Sequence, residues 1–439
     1  MTPAQTLREA FRATDPQPLP SGDSYFVNLA QARGSTATVR LRQMIQNCDS
    51  GEYSAIAFSG HRGSGKSTEL RQLESELAPS CFTLYLDIND FLDAADVDYT
   101  DLFLLVSRSL LDALREREVP LSTNLLRDVE AWFRQVTKET EESIQLSAGI
   151  SAEAQAGVNI PFVARLLAKL TADVKAGSSQ KKTTREELDR YFSGLLSNTN
   201  VLLTSAAKAL QQAVRPSQLL IVFDNLDRLP PDKSEKLFFD HGSQLRGMAC
   251  HAIYTVSIDT FYSRRGLFNV FPGHVILPNV KLRAGKSSKE PHRAGVEAMR
   301  EIIRRRLDVE TLISPPALAG EFIRLSGGSV RQLIRLLREA VLSAQSRELA
   351  AINSQALEDA TRNLRQDFER MLAPSDYELL RRAWDTKSIE KTDAYMQLLS
   401  NLSILEYNGD ELWYDVNPLI ESIHAFQDVA KKPRARARR

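Results

Sequence analysis

The stretch GHRGSGKS at residues 60–67 constrains this chain more than any other feature. It fits the pattern G-x-x-x-x-G-K-[ST] and lies between a short apolar run at residues 54–59 and helix-forming residues at 68–77. A strand, a glycine-rich loop and a helix in this order are typical of a phosphate-binding loop, or P-loop, in an α/β fold. A glycine-rich turn that only joins a strand to a helix is the alternative interpretation.

The residue types of this loop suit a nucleoside triphosphate with Mg²⁺. Glycines allow backbone N–H groups to turn towards phosphates, and the helix that begins near Gly65 adds its positive N-terminal end. We expect Lys66 to reach the β- and γ-phosphate oxygens and Ser67 to bind Mg²⁺ through its hydroxyl. The loop residues expected to hold the nucleotide are Gly60, His61, Arg62, Gly63, Ser64, Gly65, Lys66, Ser67 and Thr68.

A second strand is expected to supply the carboxylate that orients the magnesium ion. The most apolar run of the chain, residues 218–223, stops at Asp224, where a P-loop site needs this second metal ligand. Asp227 follows three residues later and is the candidate general base, so Lys66, Asp224 and Asp227 form the predicted catalytic set. Alternatively, Asp227 pairs with Arg228 or caps the helix that follows.

The order of apolar runs predicts the architecture. Runs at residues 81–86, 252–256 and 275–277 alternate with helical or loop segments, which indicates a mostly parallel sheet with right-handed crossovers. Residues 140–200 are rich in Ala, Gly and Ser and are interpreted as an insertion. An apolar helical face at residues 162–174 predicts either a helix for a partner or a membrane surface, or an amphipathic helix packed on its own domain.

Helical patterns replace strands after Pro291 and predict a helical lid. From Ser375 the chain shows helices and then two short runs around Asn408-Gly409, a strong type I′ turn signal. Helices followed by a two-stranded wing predict a winged-helix domain. The predicted division is an N-terminal linker and lead-in helix at 1–50, a P-loop core at 51–285, a lid at 286–372, a winged-helix domain at 373–428 and a basic tail at 429–439.

Composition argues against a secreted, transmembrane, disulfide-rich or zinc-binding protein. The 56 basic side chains balance 56 acidic ones, although the last nine residues carry six cations. Residues 1–20 lack the apolar core of a signal peptide, and no run of about 18 apolar residues predicts a transmembrane segment. Three cysteines are too few for a disulfide framework or a zinc site. These observations predict a cytoplasmic protein.

Residues 60–70, together with the stretch DNLDR at 224–228, resemble the P-loop ATPases of the AAA+ and STAND groups, and most closely bacterial members related to the origin-recognition ATPases. The resemblance extends over residues 25–423 and implies ATP as the nucleotide, with residues 31–34 where relatives wrap the adenine. Many relatives carry Glu directly after the strand-end Asp. This chain has Asn225 there, a departure that predicts slow turnover.

The resemblance implies further site residues. Thr255 ends the fourth strand, where the family places a polar sensor beside the γ-phosphate. Arg331, in GGSVR at residues 327–331, resembles the lid arginine that contacts nucleotide, although an ordinary exposed cation is the alternative. In this family an arginine before the last core strand can reach a neighbouring subunit's nucleotide, which indicates Arg264 or Arg265 here.

The charge of the C-terminal domain separates the candidate functions. Its predicted recognition helix, residues 392–402, has no Lys or Arg, and Glu406, Asp410 and Glu411 place acids on the predicted wing, whereas DNA binding requires cations there. We therefore predict a protein-contact or autoinhibitory role. The first hypothesis is a nucleotide-gated switch that recruits a protein partner or forms an ATP-dependent homo-oligomer, and the resemblance implies that such bacterial switches often serve antiphage defence.

Two other hypotheses remain. A DNA-handling ATPase of the loader or initiator type would bind nucleic acid through the winged-helix domain and the basic tail. A binding-only module without turnover follows from Asn225.

Overall fold

The structure, a computed structural model, describes residues 2–49, 51–138, 162–176, 179–213, 218–408 and 411–431. Its central sheet consists of β1 (Ala55–Ser59), β2 (Cys81–Asp87), β3 (Gln218–Asp224), β4 (His251–Val256) and β5 (Gly273–Ile276). Across this part of the chain the strand order is β2-β3-β4-β1-β5, and every neighbouring pair is parallel. Each strand overlaps one of the predicted apolar runs, although β5 begins two residues earlier than predicted, and the predicted parallel α/β sheet is confirmed.

Helices cover both faces of this sheet. The longer helices of the described chain, on the sheet and beyond it, are α1 (Leu7–Ala13), α2 (Ala37–Gln46), α3 (Lys66–Leu77), α4 (Tyr99–Glu116), α5 (Thr123–Thr137), α6 (Phe162–Lys175), α7 (Ser179–Arg190), α8 (Phe192–Ala213), α9 (Arg293–Arg306), α10 (Ala319–Ser326), α11 (Val330–Ser346), α12 (Ser354–Met371), α13 (Pro374–Thr386), α14 (Asp393–Ser400) and α15 (His424–Lys431). Shorter helices occupy Ala30–Arg33, Ile88–Phe91, Pro231–Glu235, Gly242–Leu245, Ile258–Phe261, Leu267–Val270 and Val309–Leu312. α2 and α3 pack on one face and α4 to α8 on the other, which explains why the strands are apolar throughout.

The predicted amphipathic helix of the insertion is α6, and it packs on its own domain. Leu166, Leu167 and Leu170 are fully buried, and Val174 is buried with them. Their main neighbour is α4, a long helix that also packs against α8. This contact confirms the within-domain interpretation for α6. The part of the predicted insertion at residues 140–161 lies outside the described residues.

The predicted lid is helical and consists of α9 to α12. Its core includes the start of the chain, because Ala10 and Ala13 of α1 are buried among the lid's apolar side chains. The backbone N–H of Ala4 donates to the carbonyl of Arg306 at 2.9 Å, and the N–H of Asp308 donates back to Ala4 at the same distance. The lead-in helix α1 therefore packs together with the lid helices, and the predicted division of the chain into domains stays a prediction.

After the lid, α13 and α14 precede a hairpin of β6 (Ile404–Tyr407) and β7 (Trp413–Val416), and α15 follows it. The two strands are antiparallel, with Tyr407 opposite Trp413, as expected from the turn signal. Gly409 of that turn and the basic tail from residue 432 lie outside the described residues. The helices and hairpin have the order predicted for a winged helix, and that assignment stays a prediction.

No described helix combines the length and the apolarity that crossing a membrane requires. Cys48, Cys81 and Cys250 are free thiols, and the last two are buried. Burial raises the pKa of Cys81 and of Cys250 above the ordinary thiol value, so these side chains act as packed apolar groups.

Candidate nucleotide site

The glycine-rich loop lies at the carboxyl edge of the sheet, between the end of β1 and the start of α3. Gly65 precedes the helix with φ +102°, and Gly63 has φ +83°, backbone conformations that other residues rarely adopt. A Cβ atom on Gly63 would lie 2.5 Å from the Cβ of Arg331. Glycine is therefore required both where the backbone turns and where the lid approaches it.

Lys66 begins α3 and is almost fully buried beneath the loop. Its Nζ donates to the carbonyl oxygens of Gly60 at 2.8 Å and His61 at 3.1 Å. The same ammonium lies 2.9 Å from Oδ2 of Asp227, whose side chain is 9% exposed. Lys66 thus joins the phosphate loop to the acidic strand, and these contacts use the donors that a phosphate would use.

Asp227 stays ionised although it is buried. Burial alone would raise its pKa, but the charges of Lys66, Arg62 and Arg228 hold that pKa below its ordinary value. The helix Pro231–Glu235 has no side-chain cap, so the alternative that Asp227 caps it is wrong. Asp227 lines the cleft, and its role as a general base stays a prediction.

Asp224, at the end of β3, is also buried. The hydroxyl of Tyr85 donates to its Oδ2 at 2.6 Å, and the Ser67 hydroxyl hydrogen-bonds to the same carboxylate. Burial raises the pKa of Asp224, and these two hydrogen bonds counteract that rise. A carboxylate and a hydroxyl side by side beneath a phosphate loop are hard oxygen donors, so the residues present fit Mg²⁺.

Asn225 shapes the turn that separates the two acids. Its φ is +67°, a left-handed conformation that Asn tolerates better than most residues. Its side-chain amide donates to Oδ1 of Asp87 at 2.8 Å, at the end of the neighbouring strand β2. Asn225 therefore has a structural partner of its own, and the acidic side chain nearest the loop lysine is Asp227.

Arg33 supports the loop from outside, and sequence analysis did not identify it. Its Nη1 lies 2.8 Å from Oε1 of Glu69 in α3, and its Nη2 donates to the carbonyl oxygen of Ser64 within the loop. Only 2% of the side chain is exposed. One feature of the sequence indicated a role for Arg33, its position in residues 31–34. The family resemblance connected these residues with the adenine and not with the phosphate loop.

The lid closes the cleft from the opposite side. The backbone N–H of Arg331 donates to the carbonyl of Gly63 at 3.2 Å, and burial lowers the pKa of its guanidinium. Arg306, which sequence analysis also missed, donates to the carbonyl of Tyr25 at 3.2 Å, and burial lowers its pKa to about 10. Two lid arginines therefore face the same cleft as Lys66.

The cleft is lined by both charged and apolar side chains. Its empty space, including the part open to solvent, is about 940 Å³. The charged residues of the lining include Arg62, Lys66, Arg228 and Arg331. The apolar residues are Leu19, Val27, Leu29, Ile302, Val330 and Ile334, which come from the N-terminal segment and the lid. Cations suit the phosphates of a nucleotide, and apolar side chains suit its base.

Several predicted residues lie elsewhere. The Thr255 hydroxyl donates to the carbonyl of Phe223 at 3.2 Å inside the sheet, and Thr255 does not line the cleft. Arg264 donates to the carbonyl of Lys391 in the C-terminal region at 2.7 Å. Arg265 pairs with Asp240 at 2.5 Å. The structure therefore brings neither arginine to this chain's own cleft.

Two further residues differ from expectation. The side chain of His61 points away from the cleft and accepts the backbone N–H of Glu406 at 2.9 Å through Nε2. Glu406 itself is 1% exposed, so the expectation that it places an acid on the surface of the wing is wrong. Both faces of β6 are buried, and Glu406 lies on the face towards Tyr262 and Tyr414, which hydrogen-bond to its carboxyl group.

The parallel sheet, the glycine loop with its lysine and the strand-end aspartate define the P-loop NTPase fold. Consistent with this fold, the model of the KAP family P-loop domain matches residues 37–239, just under half of the chain. No curated protein matches the sequence.

Solved structures with a similar arrangement have low sequence identity. The Walker-type ATPase PABY2304 of Pyrococcus abyssi is 13% identical, with 95% of this chain and 99% of that chain covered and a TM-score of 0.40. Drosophila ORC bound to DNA is 11% identical, with 98% and 92% covered and a TM-score of 0.41. The RuvB Holliday junction branch migration motor of Thermotoga maritima is 12% identical, with 84% and 80% covered and a TM-score of 0.34.

Proposed function

We propose that this protein is an ATP-driven molecular switch that binds ATP with Mg²⁺, hydrolyses it slowly and changes its conformation or assembly to control a protein partner. The contact between Lys66 and Asp227 carries this proposal. It places the phosphate-binding cation and the candidate base in direct contact, under a lid arginine that touches the same loop. A triphosphate that enters must break this contact, so occupancy of the site changes the loop, the acidic strand and the lid together.

The residues of this chain have distinct roles in the proposed reaction. Lys66 and Arg331 would bind phosphate oxygens, and Ser67 and Asp224 would hold Mg²⁺. The bound ion would neutralise developing phosphate charge. Asp227, released from Lys66, would accept a proton from the attacking water. The apolar side chains of the cleft, Val27 among them, would contact the nucleobase.

Binding and turnover are tested on the full-length protein with labelled ATP and Mg²⁺. We expect saturable binding in the wild type and a loss of about 10- to 100-fold in affinity for Lys66→Ala, because charged hydrogen bonds to phosphate contribute about 1.5–3 kcal/mol. Lys236→Ala is the matched control, since this lysine is half-exposed and pairs with Asp98 on the surface. Equal binding by the wild type and Lys66→Ala would refute the proposed site.

Switching is tested separately by sedimentation and limited proteolysis with Mg·ATP, Mg·ADP or no nucleotide. We expect the mass or the cleavage pattern of the wild type to differ between ATP and ADP, and Lys66→Ala to show neither difference. If the protein binds nucleotide but its mass and cleavage pattern are identical in all three states, the proposed switch is refuted and the proposed ATPase activity still stands. Plating of phages on cells that express the wild type or Lys66→Ala tests the proposed role in antiphage defence.

The absence of Lys and Arg from α14 favours a protein partner over DNA. This helix begins with Asp393, has no Lys or Arg between Asp393 and Ser400, and its N-cap is Thr392. DNA binding whose affinity falls steeply with salt, and which persists after deletion of residues 432–439, would instead support the DNA-handling function.

A further inference from the structure

The hairpin β6–β7 is fixed directly to the phosphate loop. The backbone N–H of Glu406 donates to Nε2 of His61 at 2.9 Å, and the side-chain amide of Asn279 donates to the carbonyl of Glu406 at 3.4 Å. One residue further, the hydroxyl of Tyr407 donates to the carbonyl of Gly327 at 2.5 Å, just before the lid helix α11. Strand β6 therefore contacts the loop, the segment after β5 and the lid at the same time.

The ring of His61 can accept a hydrogen bond at Nε2 only if the ring is neutral. Burial, and then the charge of Lys66, lower the pKa of His61 to about 3, so the imidazole is uncharged at physiological pH. An Nε2 that accepts a hydrogen bond places the ring proton on Nδ1. The charge of Lys66 thus helps to maintain the form of His61 that binds the hairpin.

His61 contacts both the nucleotide-binding lysine and the hairpin. Its carbonyl oxygen accepts from Nζ of Lys66 at 3.1 Å, while its ring accepts from the N–H of Glu406. A bound triphosphate takes Lys66 for its own oxygens, and the His61 carbonyl then keeps only one of its two donors, the backbone N–H of Ser64 at 3.1 Å. The backbone of residue 61 is then held by one hydrogen bond fewer, and any shift of this backbone moves the ring with it.

We infer that His61 couples nucleotide occupancy to the docking of hairpin β6–β7, so that a triphosphate on Lys66 loosens the hairpin from the phosphate loop. This inference rests on the proposed function and specifies how the switch is transmitted. His61 contacts both the nucleotide-binding lysine and the hairpin, so the two sites are linked through it. Thermodynamic linkage requires this effect to be reciprocal. A docked hairpin must therefore weaken nucleotide binding by the same factor by which the nucleotide weakens docking.

Some buried polar atoms near the contact between β6 and the phosphate loop have no hydrogen-bond partner in the part of the chain that the structure describes. Within the described residues, the Oδ1 of Asn279 and the Oγ of Ser400 are buried without a hydrogen-bond partner. Ser400 lines a small cavity together with Gly60 and Arg62 of the loop and Asp227. Buried polar atoms without partners gain hydrogen bonds from water when the two surfaces part, which lowers the cost of undocking.

Hydrogen exchange on the full-length protein tests this coupling. We expect the peptide containing the Glu406 N–H to exchange at least about fivefold faster with saturating Mg·ATPγS than without nucleotide, a factor at the low end of typical coupling. In His61→Ala this N–H has lost its acceptor, so exchange is fast in both states and the nucleotide affinity rises by a comparable factor. His61→Gln, which retains an acceptor oxygen, restores part of the nucleotide dependence.

The matched control is His251→Ala. His251 is also buried, its pKa is lowered to about 4 by burial, and its Nδ1 accepts the backbone N–H of Ser54 at 3.1 Å. It lies at the amino edge of the sheet, away from the loop, so its loss should leave the nucleotide dependence of the Glu406 N–H intact.

The outcomes separate this inference from the proposed function. Binding of fluorescent nucleotide is measured on the same samples, and failure of the wild type to bind would refute both. Binding by the wild type without a change in exchange at Glu406 would refute the coupling alone, even if His61→Ala does not fold. An equal nucleotide-dependent change in the wild type and His61→Ala would show that His61 does not transmit it.

Discussion

The ammonium of Lys66 lies 2.9 Å from the carboxylate of Asp227, and the two side chains are only 5% and 9% exposed. Each is the partner of the other in this structure, and in the proposed reaction each also acts on the bound triphosphate. An incoming nucleotide therefore exchanges one buried ion pair for another, so the net affinity is smaller than the phosphate contacts alone would give.

Replacement of Asp227 by Asn should separate binding from turnover. We expect phosphate release to fall by roughly 100-fold or more, because general-base contributions are of this order. Nucleotide affinity should stay equal or increase, since Lys66 no longer has a competing carboxylate. Asp232→Asn, at an exposed aspartate five residues along the chain, is the control. Unchanged turnover in Asp227→Asn would exclude Asp227 as the base.

Loss of Arg33 should destabilise the fold through the charge it leaves behind. In Arg33→Met, Glu69 stays largely buried without its partner, and we expect a loss of about 3 kcal/mol in the free energy of unfolding. The double variant Arg33→Met/Glu69→Gln should recover part of that loss, as measured by urea denaturation. Arg42→Met breaks the half-exposed pair with Glu76 and should cost less than about 1 kcal/mol. Equal losses in both single variants would contradict this account.

The lid arginine can be distinguished from an ordinary surface cation. Arg331→Gln should weaken ATP binding about tenfold, as expected for one charged hydrogen bond to phosphate. Arg335→Gln, one turn further along α11, removes an exposed arginine that pairs with Asp367 at 3.2 Å, and should leave ATP affinity unchanged. Titration of labelled ATP into both variants decides the question. Equal affinities for the two variants would show that Arg331 is a structural contact of the loop.

The buried Glu406 should make stability depend on pH. Burial raises the pKa of Glu406 from 4.5 to about 7, against hydrogen bonds from Tyr262 and Tyr414 that lower it. Between these two values the folded protein binds a proton that the unfolded chain does not. Stability therefore falls as pH rises from 4.5 to 7, by about 3 kcal/mol at most. Urea denaturation at pH 5 and pH 7.5 measures the difference.

The matched variant in this pH experiment is Glu406→Gln. It cannot ionise, so its stability should lack the corresponding decrease between pH 5 and pH 7.5. An identical pH dependence in the wild type and Glu406→Gln would show that Glu406 does not titrate in this range.

Local sequence patterns predicted the sheet and the central part of the site. The apolar runs that end at Ser59 and Asp224 identified two strands, and the loop motif identified Lys66. These signals are local, because a strand, a tight turn and a helix start depend on neighbouring residues. The contact between the predicted base and Lys66 was not foreseen, although both residues were named.

Contacts between residues far apart in the sequence were missed. Arg33 reaches Ser64 and Glu69 across more than thirty positions of the chain, and His61 reaches Glu406 across 345. No periodicity or motif in the sequence records such a pairing. Glu406 was placed on the surface because its charge was taken as a sign of exposure. Its strand position, opposite Tyr414 in the hairpin, determines its burial instead.

The walls of the cleft extend well beyond the part of the chain that the family model matches. That match ends at residue 239, yet Leu19 precedes its start and Arg306 and Arg331 follow its end. A fragment trimmed to residues 37–239 would keep Lys66 and both aspartates. It would lose the apolar side chains of the N-terminal segment and of the lid, and it would lose Arg306 and Arg331. Such an excised piece would be a poor receptor for ATP, and its inactivity would say nothing about the intact protein.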